Sequence, residues 1–183
     1  MQQPTPVTDH PAATIPPPTP SNLLKNGNFN EPGGSPTLLV TKNPSWGWLP
    51  TAAPHWDVWN NAAGPTTTAL LPSTMRGLGA GTMLQVCTGA SDSGLRQWFS
   101  PHLDSGPAKT MSSAWVYVLS GKVGIGTGNV GSTGDHDRVS TKIGEWEYLE
   151  APNGVSPANM FIVYATELGG ACFFIDNASV YAA

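Results

Sequence analysis

Short segments of alternating apolar and polar residues recur along the chain from residue 66 to residue 181. In one of them Leu84, Val86 and Thr88 fall on the same face of an extended strand. Stretches rich in Gly, Pro, Asn and Asp separate the segments, and these residues favour turns because Gly permits positive φ and Pro fixes φ. The pattern predicts eight strands, at residues 66–71, 82–88, 95–100, 110–119, 122–128, 146–151, 159–166 and 172–181.

No stretch shows a convincing helical period, so the sequence predicts an all-β domain. Many short strands separated by turns indicate a β-sandwich or jelly roll. The stretch "NLLKNGNFNEPG", residues 22–33, is predicted to be the first strand and its exit turn, with Leu23 or Leu24 and Phe29 in the core. Residues 31–66 alternate little and are expected to form long loops, where binding sites on a sandwich usually lie.

The first 21 residues differ from the rest of the chain. Seven of the first 20 residues are Pro, and few are bulky and apolar. Such a segment cannot form a core and is expected to be extended, near polyproline II. The sequence therefore predicts two regions, a Pro-rich arm at residues 1–21 and a sandwich at residues 22–183. The arm is either a linker or an anchor that lies along a partner surface.

Charge and hydropathy exclude several classes of function. The net charge is −4 and the eight Lys and Arg residues form no basic stripe, so binding to nucleic-acid phosphates is not expected. No apolar run approaches the ~20 residues of a transmembrane helix. The start lacks the basic and apolar regions of a secretory signal. We therefore expect a chain made in the cytoplasm that stays there or leaves by another route, such as cell lysis.

Sequence motifs for catalysis are missing, so the sequence predicts a protein that is not an enzyme. Gly124, Gly126 and Gly128 lack the following helix of a nucleotide-binding loop, and they are better explained as a strand with little side-chain volume on one face. The segment "GDHDR", residues 134–138, is expected to be an exposed polar turn rather than a metal site. Glu145 and Glu147 are expected to be solubilising residues on an exposed strand.

The two cysteines lie in two of the predicted strands. Cys87 and Cys172 are 85 residues apart, which excludes a metal-binding or redox motif built on close spacing. Two buried free thiols are the favoured interpretation, and a single disulfide is the alternative.

Asp176 lies within the last predicted strand. Strand parity groups it with Phe174, Ala178 and Val180, on a face that is expected to be buried. A buried carboxylate must be paired, hydrogen-bonded or bound to a metal. Calcium would fit if a second oxygen-rich segment lay beside it; hydrogen bonds from backbone N–H groups of a neighbouring loop are the alternative.

Four of the seven tryptophans lie between residues 46 and 59. Exposed aromatic rings stack on the apolar faces of sugar rings, and nearby amides and carboxylates hydrogen-bond the hydroxyl groups. Trp46, Trp48 and Trp98 are therefore the candidate glycan-binding residues, although each also fits a structural role. Trp56 and Trp115 are expected to be structural.

Taken together, residues 22–181 resemble the jelly-roll carbohydrate-binding modules of the galactose-binding-like superfamily. The matching segments are, in order, "NLLKNGNF", "PHWDVW", "TMLQV" before "GLRQWFS", "KTMSSAWVYVLSGKVGIG" and "CFFIDNASVY". The resemblance implies a structural calcium ion between the first and last strands, with Asp176 as one ligand. The acidic position of the family falls on Asn30, an amide with one usable oxygen, with Glu31 beside it.

Openings similar to "NLLKNG" also occur on bacteriophage virion proteins such as fibres and capsid decorations. The resemblance thus implies a non-catalytic domain on a virion surface, held to capsid or other virion proteins by residues 1–21. Such a domain would stabilise the particle or bind host-surface glycans. The alternative is a carbohydrate-binding module of a secreted glycoside hydrolase, with the arm as a linker between domains.

Overall fold

A computed structural model describes residues 21–31, 39–41, 48–59, 65–76, 80–100, 107, 109–128, 138–152 and 157–183. These residues form the predicted all-β sandwich, and within them no helix is long and apolar enough to cross a membrane. One 3₁₀ turn, Ser73–Arg76, follows β4. The strands are β1 (Leu39–Thr41), β2 (Trp48–Pro50), β3 (Asp57–Trp59), β4 (Thr66–Pro72), β5 (Thr82–Thr88), β6 (Gly94–Trp98), β7 (Thr110–Ser120), β8 (Val123–Gly128), β9 (Arg138–Val139), β10 (Trp146–Pro152), β11 (Met160–Ala165) and β12 (Cys172–Ala182).

The strands form two antiparallel sheets of six strands each. The first sheet has the order β1-β4-β5-β12-β7-β10, and the second has the order β2-β3-β6-β11-β8-β9. The residues that point inward from both sheets form one hydrophobic core, because every second side chain of a strand lies on the same face. Fully buried members of this core are Leu84, Val86, Val116, Ile125, Leu149, Phe161, Val163, Phe173 and Ile175.

All eight strands predicted from the alternation are present, with ends that differ by at most two residues. The expectation that residues 31–66 form only loops was wrong, because β1, β2 and β3 lie in this segment. Each has three residues, which is too short for alternation to be recognised. The prediction that Gly124, Gly126 and Gly128 lie in a strand is confirmed, because they are part of β8, which pairs with β9. Residues 134–137 of the predicted polar turn lie outside the described residues.

The opening stretch contributes to the core without forming a strand. Leu24 and Phe29 are 7% and 1% exposed, as predicted, but residues 24–29 are bends and turns and residues 22–31 contain no strand. Asn26 and Phe29 have φ values of 48° and 55°, and such left-handed conformations interrupt an extended strand. The segment is held beside β12 instead, where the Leu23 N–H donates to the Val180 carbonyl at 2.8 Å.

Trp56 is the anchor of this region, as expected for a structural tryptophan. It is 1% exposed, and its ring lies between Phe29 and Phe161, with centroid distances of 5.1 and 6.0 Å. Its Nε1–H donates to the Asn26 carbonyl at 3.2 Å. The ring thus satisfies its polar atom while it joins the opening stretch to the second sheet.

Cys87 and Cys172 form a disulfide bond. They occupy directly opposite positions on β5 and β12, so the bond joins two neighbouring strands of the first sheet. The favoured interpretation of two free thiols was therefore wrong. Strand alternation placed both cysteines correctly in strands, but it carries no information about which strands are neighbours.

A β-bulge in β12 changes the faces on which its residues lie. Asp176 pairs with Trp115, and the next paired residue, Ser179, faces Ser113. One extra residue is accommodated here, and Asn177 has a φ of 48°. Phe174 therefore lies on the outer face, whereas the residues after the bulge, Ala178 and Val180, belong to the core. The grouping of Asp176 with these two residues by strand parity was wrong for this reason.

Candidate functional site

The outer face of the second sheet carries a cluster of aromatic and polar side chains. Every second residue of β3, β6 and β11 points into the core, as Val58, Leu95 and Val163 do. The remaining positions point away from the core. On this face lie Asp57, Trp59, Gly94, Arg96, Trp98, Met160, Ile162 and Tyr164, with Gly124, Gly126 and Gly128 on the neighbouring β8.

A pocket opens at the centre of this face, above Gly94. In the strand register Gly94 stands between Trp59 of β3 and Tyr164 of β11. A Cβ atom at Gly94 would lie 1.9 Å from the Val163 carbonyl oxygen, so only glycine fits here. The pocket is partly open to solvent, and Trp59, Tyr164 and Arg96 contribute to its lining. The floor therefore has no side chain, and aromatic residues stand on both sides of it.

The glycines of the neighbouring β8 are buried. A Cβ atom at Gly124 would lie 3.1 Å from the Tyr164 Cζ atom. The Tyr164 ring therefore packs close to β8, and a side chain at position 124 would crowd it. The half-buried Tyr164 is held by the sheet surface itself, which limits the conformational entropy that it loses on binding a ligand.

Arg96 supplies the positive charge of the site. It is 5% exposed, its Nε lies 3.5 Å from Asp57 Oδ2, and its Cζ lies 4.8 Å from the centroid of the Trp98 ring. Burial lowers the pKa of Arg96 to about 10, although the neighbouring Asp57 carboxylate raises it. The guanidinium stays protonated at neutral pH. The Arg96 charge is thus balanced by Asp57, and this ion pair lies beside aromatic rings. Such a site suits a neutral ligand with many hydroxyl groups.

The structure places the three predicted glycan-binding tryptophans differently. Trp98 is half-buried on this face beside Arg96. The backbone of Trp48 pairs in register with that of Trp59, and Trp46 lies outside the described residues. Trp115, which is expected to be structural, is half-buried on the outer face of the first sheet.

Sequence reasoning missed Trp59, Gly94, Arg96 and Tyr164 as members of one site. The segment "MFIVYA" is apolar throughout and gives no signal for Tyr164, whereas alternation in "DVW" and "GLRQW" places Trp59, Gly94 and Arg96 opposite to the apolar residues of their strands. That signal separates inward from outward residues, but the order β3-β6-β11 is needed to bring them together.

The two predicted calcium ligands, Asn30 and Asp176, both bind protein donors. Asn30 Oδ1 accepts hydrogen bonds from the N–H and the hydroxyl of Thr82, at 2.8 and 3.1 Å. Asp176 is 4% exposed and accepts from the Asn177 N–H at 2.7 Å and the Ser73 hydroxyl at 3.0 Å. Burial raises the pKa of Asp176, and these two hydrogen bonds oppose that shift.

Asn30 and Asp176 share no donor among these contacts, since both donors to Asn30 Oδ1 come from Thr82 and those to Asp176 come from Ser73 and Asn177. Among the residues that the structure describes, no group of three or more His, Cys, Asp or Glu side chains is arranged to hold a metal. Calcium also uses backbone oxygens as ligands, and the calcium site stays a prediction of the family resemblance.

No protein-family model matches the chain, and no curated protein sequence matches it. Solved structures are similar in fold. The CBM22-1 xylan-binding domain from Paenibacillus barcinonensis Xyn10C has a TM-score of 0.54 at 10% identity, with 88% of this chain and 94% of that chain covered. A Bacteroides thetaiotaomicron protein with a proposed sugar-binding role has a TM-score of 0.54 at 9% identity, with 89% and 100% covered. A family 11 carbohydrate-binding module of a Clostridium thermocellum cellulase has a TM-score of 0.48 at 16% identity, with 70% and 88% covered.

At such low identities the similarities concern the fold alone. The chain has the jelly-roll fold that carbohydrate-binding modules have, which confirms the fold that the resemblance in sequence implied. Nothing in these similarities supports the virion setting.

Proposed function

We propose that this domain is a non-catalytic module that binds a glycan on the outer face of its second sheet. The pocket above Gly94 carries the proposal, because Trp59 and Tyr164 stand on either side of a floor that has no side chain. Aromatic rings stack on the apolar faces of sugars, while Arg96 and Asp57 offer a donor and an acceptor for hydroxyl groups. The fold shared with a xylan-binding domain supports the same class of function.

The charge of the site favours a neutral glycan over an anionic one. Asp57 compensates the Arg96 charge within the face itself, and Asp92 lies at the pocket as a further acidic residue. An anionic sugar would have to compete with Asp57 for the guanidinium and would approach a second carboxylate. Trp46 and Trp48 remain predicted sugar contacts.

Affinity electrophoresis of the full chain in gels that contain xylan, hydroxyethylcellulose or β-1,4-galactan tests this function. We expect at least one polysaccharide to retard the parent protein. Trp59→Ala and Trp98→Ala are each expected to weaken binding about tenfold or more, which corresponds to about 1.4 kcal/mol for each factor of ten. The control is Leu168→Ala, because Leu168 is 91% exposed in the turn before β12. Absence of retardation in every gel, or equal retardation of folded Trp59→Ala and parent, would contradict the proposal.

The larger setting of the domain is a separate proposal. A carbohydrate-binding module of a secreted glycoside hydrolase is compatible with the fold similarity. A virion surface domain is the other setting predicted from the sequence, and it depends on the arm at residues 1–21, of which residues 1–20 lie outside the described residues. The same binding face serves in either setting.

A further inference from the structure

A second aromatic surface lies on the outer face of the first sheet, on the opposite side of the sandwich. Trp115 of β7 stands directly opposite Tyr148 of β10, and Tyr117 stands directly opposite Trp146. The ring centroids of the two pairs are 5.4 and 5.6 Å apart. These four residues are called the aromatic block.

The aromatic block reaches the surface and contributes nothing to the main core. Tyr148 is 48% exposed, and the other three residues are half-buried. The core is completed by the inward residues of the same strands, which include Val116 and Leu149. Large apolar surface that the core does not need is typical of interaction sites.

The rings of the block are held in place by their neighbours. The planes of Trp115 and Tyr148 are tilted by 52°, and those of Tyr117 and Trp146 by 74°. Phe174 of β12, which is 3% exposed, supports Tyr117 from the other side, at a centroid distance of 6.1 Å. Rings that are already fixed lose little conformational entropy when a ligand stacks on them.

The charges beside the block define the ligand that fits it. On the outer face of β7, β10 and β12 the charged residues that the structure describes are Glu150 and Asp176, and both are acidic. Glu150 is exposed, and its Oε2 accepts a hydrogen bond from the Tyr148 hydroxyl at 3.3 Å. The exposed Glu150 carboxylate accepts hydrogen bonds from sugar hydroxyl groups and repels anions, whereas Asp176 is buried. The complementary ligand is therefore neutral and rich in hydroxyl groups.

We propose that the aromatic block is a second glycan-binding site, specific for neutral sugars, so that one domain holds two glycan chains on opposite faces. The class of ligand in this inference rests on the proposed function. The site itself consists of different residues. A domain with two such faces crosslinks polysaccharide chains and gains avidity on a dense surface.

Isothermal titration of the full chain with xylohexaose, cellohexaose and β-1,4-galactotriose tests the second site, with trigalacturonic acid as the anionic probe. We expect two binding sites per chain for at least one neutral sugar and none for the anionic one. Tyr148→Ala and Trp115→Ala should each weaken one site at least tenfold, and Trp59→Ala should weaken the other. Leu168→Ala should retain both sites. Melting temperatures verify that each variant is folded, and Tyr148→Ala is informative even if Trp115→Ala fails to fold.

Each outcome separates the second site from the proposed function. One site that only Trp59→Ala weakens overturns the second site and leaves the proposed function intact. One site that only Tyr148→Ala weakens supports the aromatic block and contradicts the proposed face. Absence of binding to every neutral sugar overturns both. Binding of a synthetic peptide of residues 1–20 to the block, with no sugar bound there, makes the arm its occupant and also overturns the inference.

Discussion

At the scale of single residues, Gly94 controls the candidate site most directly. Its position between Trp59 and Tyr164 makes it the floor of the pocket, and its lack of a Cβ allows β11 to approach. Gly94→Ala should therefore lower the free energy of unfolding by about 1–3 kcal/mol, the range for an overpacked site. It should also weaken glycan binding. Urea denaturation measures the first effect, and affinity electrophoresis measures the second.

Gly169→Ala is the matched control for this substitution. A Cβ atom at Gly169 would meet no atom within 4 Å, so stability should change by less than about 0.5 kcal/mol. If Gly94→Ala were as stable as this control and bound glycan as well as the parent, the role assigned to Gly94 would be incorrect.

The sequence identifies single candidate residues where local chemistry suggests a role. Trp98 is a candidate because aromatic rings stack on sugars, the structure places it on the candidate face, and its role in sugar binding stays a prediction. Arg96 was not selected, because one arginine in a strand carries no motif. Its significance comes from Asp57, which is 39 positions away along the chain and directly opposite in the sheet.

At the scale of strands, the disulfide between β5 and β12 is the covalent link of the first sheet. It closes a loop with a sequence separation of 85 residues. In the chain-entropy account, a loop of this length contributes about 4–5 kcal/mol to stability. Cys87→Ser combined with Cys172→Ser should therefore lower the free energy of unfolding by an amount of this order, measured by urea denaturation.

Reduction provides the control for this experiment. Dithiothreitol should destabilise the parent and leave the doubly substituted variant unchanged, because the variant has no disulfide to reduce. Equal effects of dithiothreitol on both proteins, or no loss of stability in the variant, would show that the bond does not stabilise the sheet.

The strands themselves differ in how far the sequence determines them. β4 to β8, β10 and β12 are long enough to show a period of two residues, whereas β11, "MFIVYA", is an apolar run between turn residues. β1, β2 and β3 were missed because three residues do not establish a period. The bulge at Asn177 also escaped prediction, since one extra residue shifts parity without any mark in the pattern of apolar residues.

At the scale of the whole molecule, function depends on which strands are neighbours. The candidate site combines residues from β3, β6 and β11, which are distant along the chain and adjacent in the second sheet. The aromatic block combines β7 and β10 at the edge of the first sheet. Because sequence alternation does not give strand order, the jelly-roll class was predictable from this sequence, but the composition of each face was not.

A nuclear magnetic resonance titration of the ¹⁵N-labelled full chain with xylohexaose, cellohexaose and β-1,4-galactotriose tests the central claim most directly. The account predicts that at least one sugar shifts the indole N–H resonances of Trp59 and Trp98 and the backbone amides of Gly94, Arg96 and Tyr164. The indole resonance of Trp56 should move little, since that ring is 1% exposed in the core. Saturating sugar that leaves the resonances of Trp59, Gly94 and Arg96 unchanged would contradict the account.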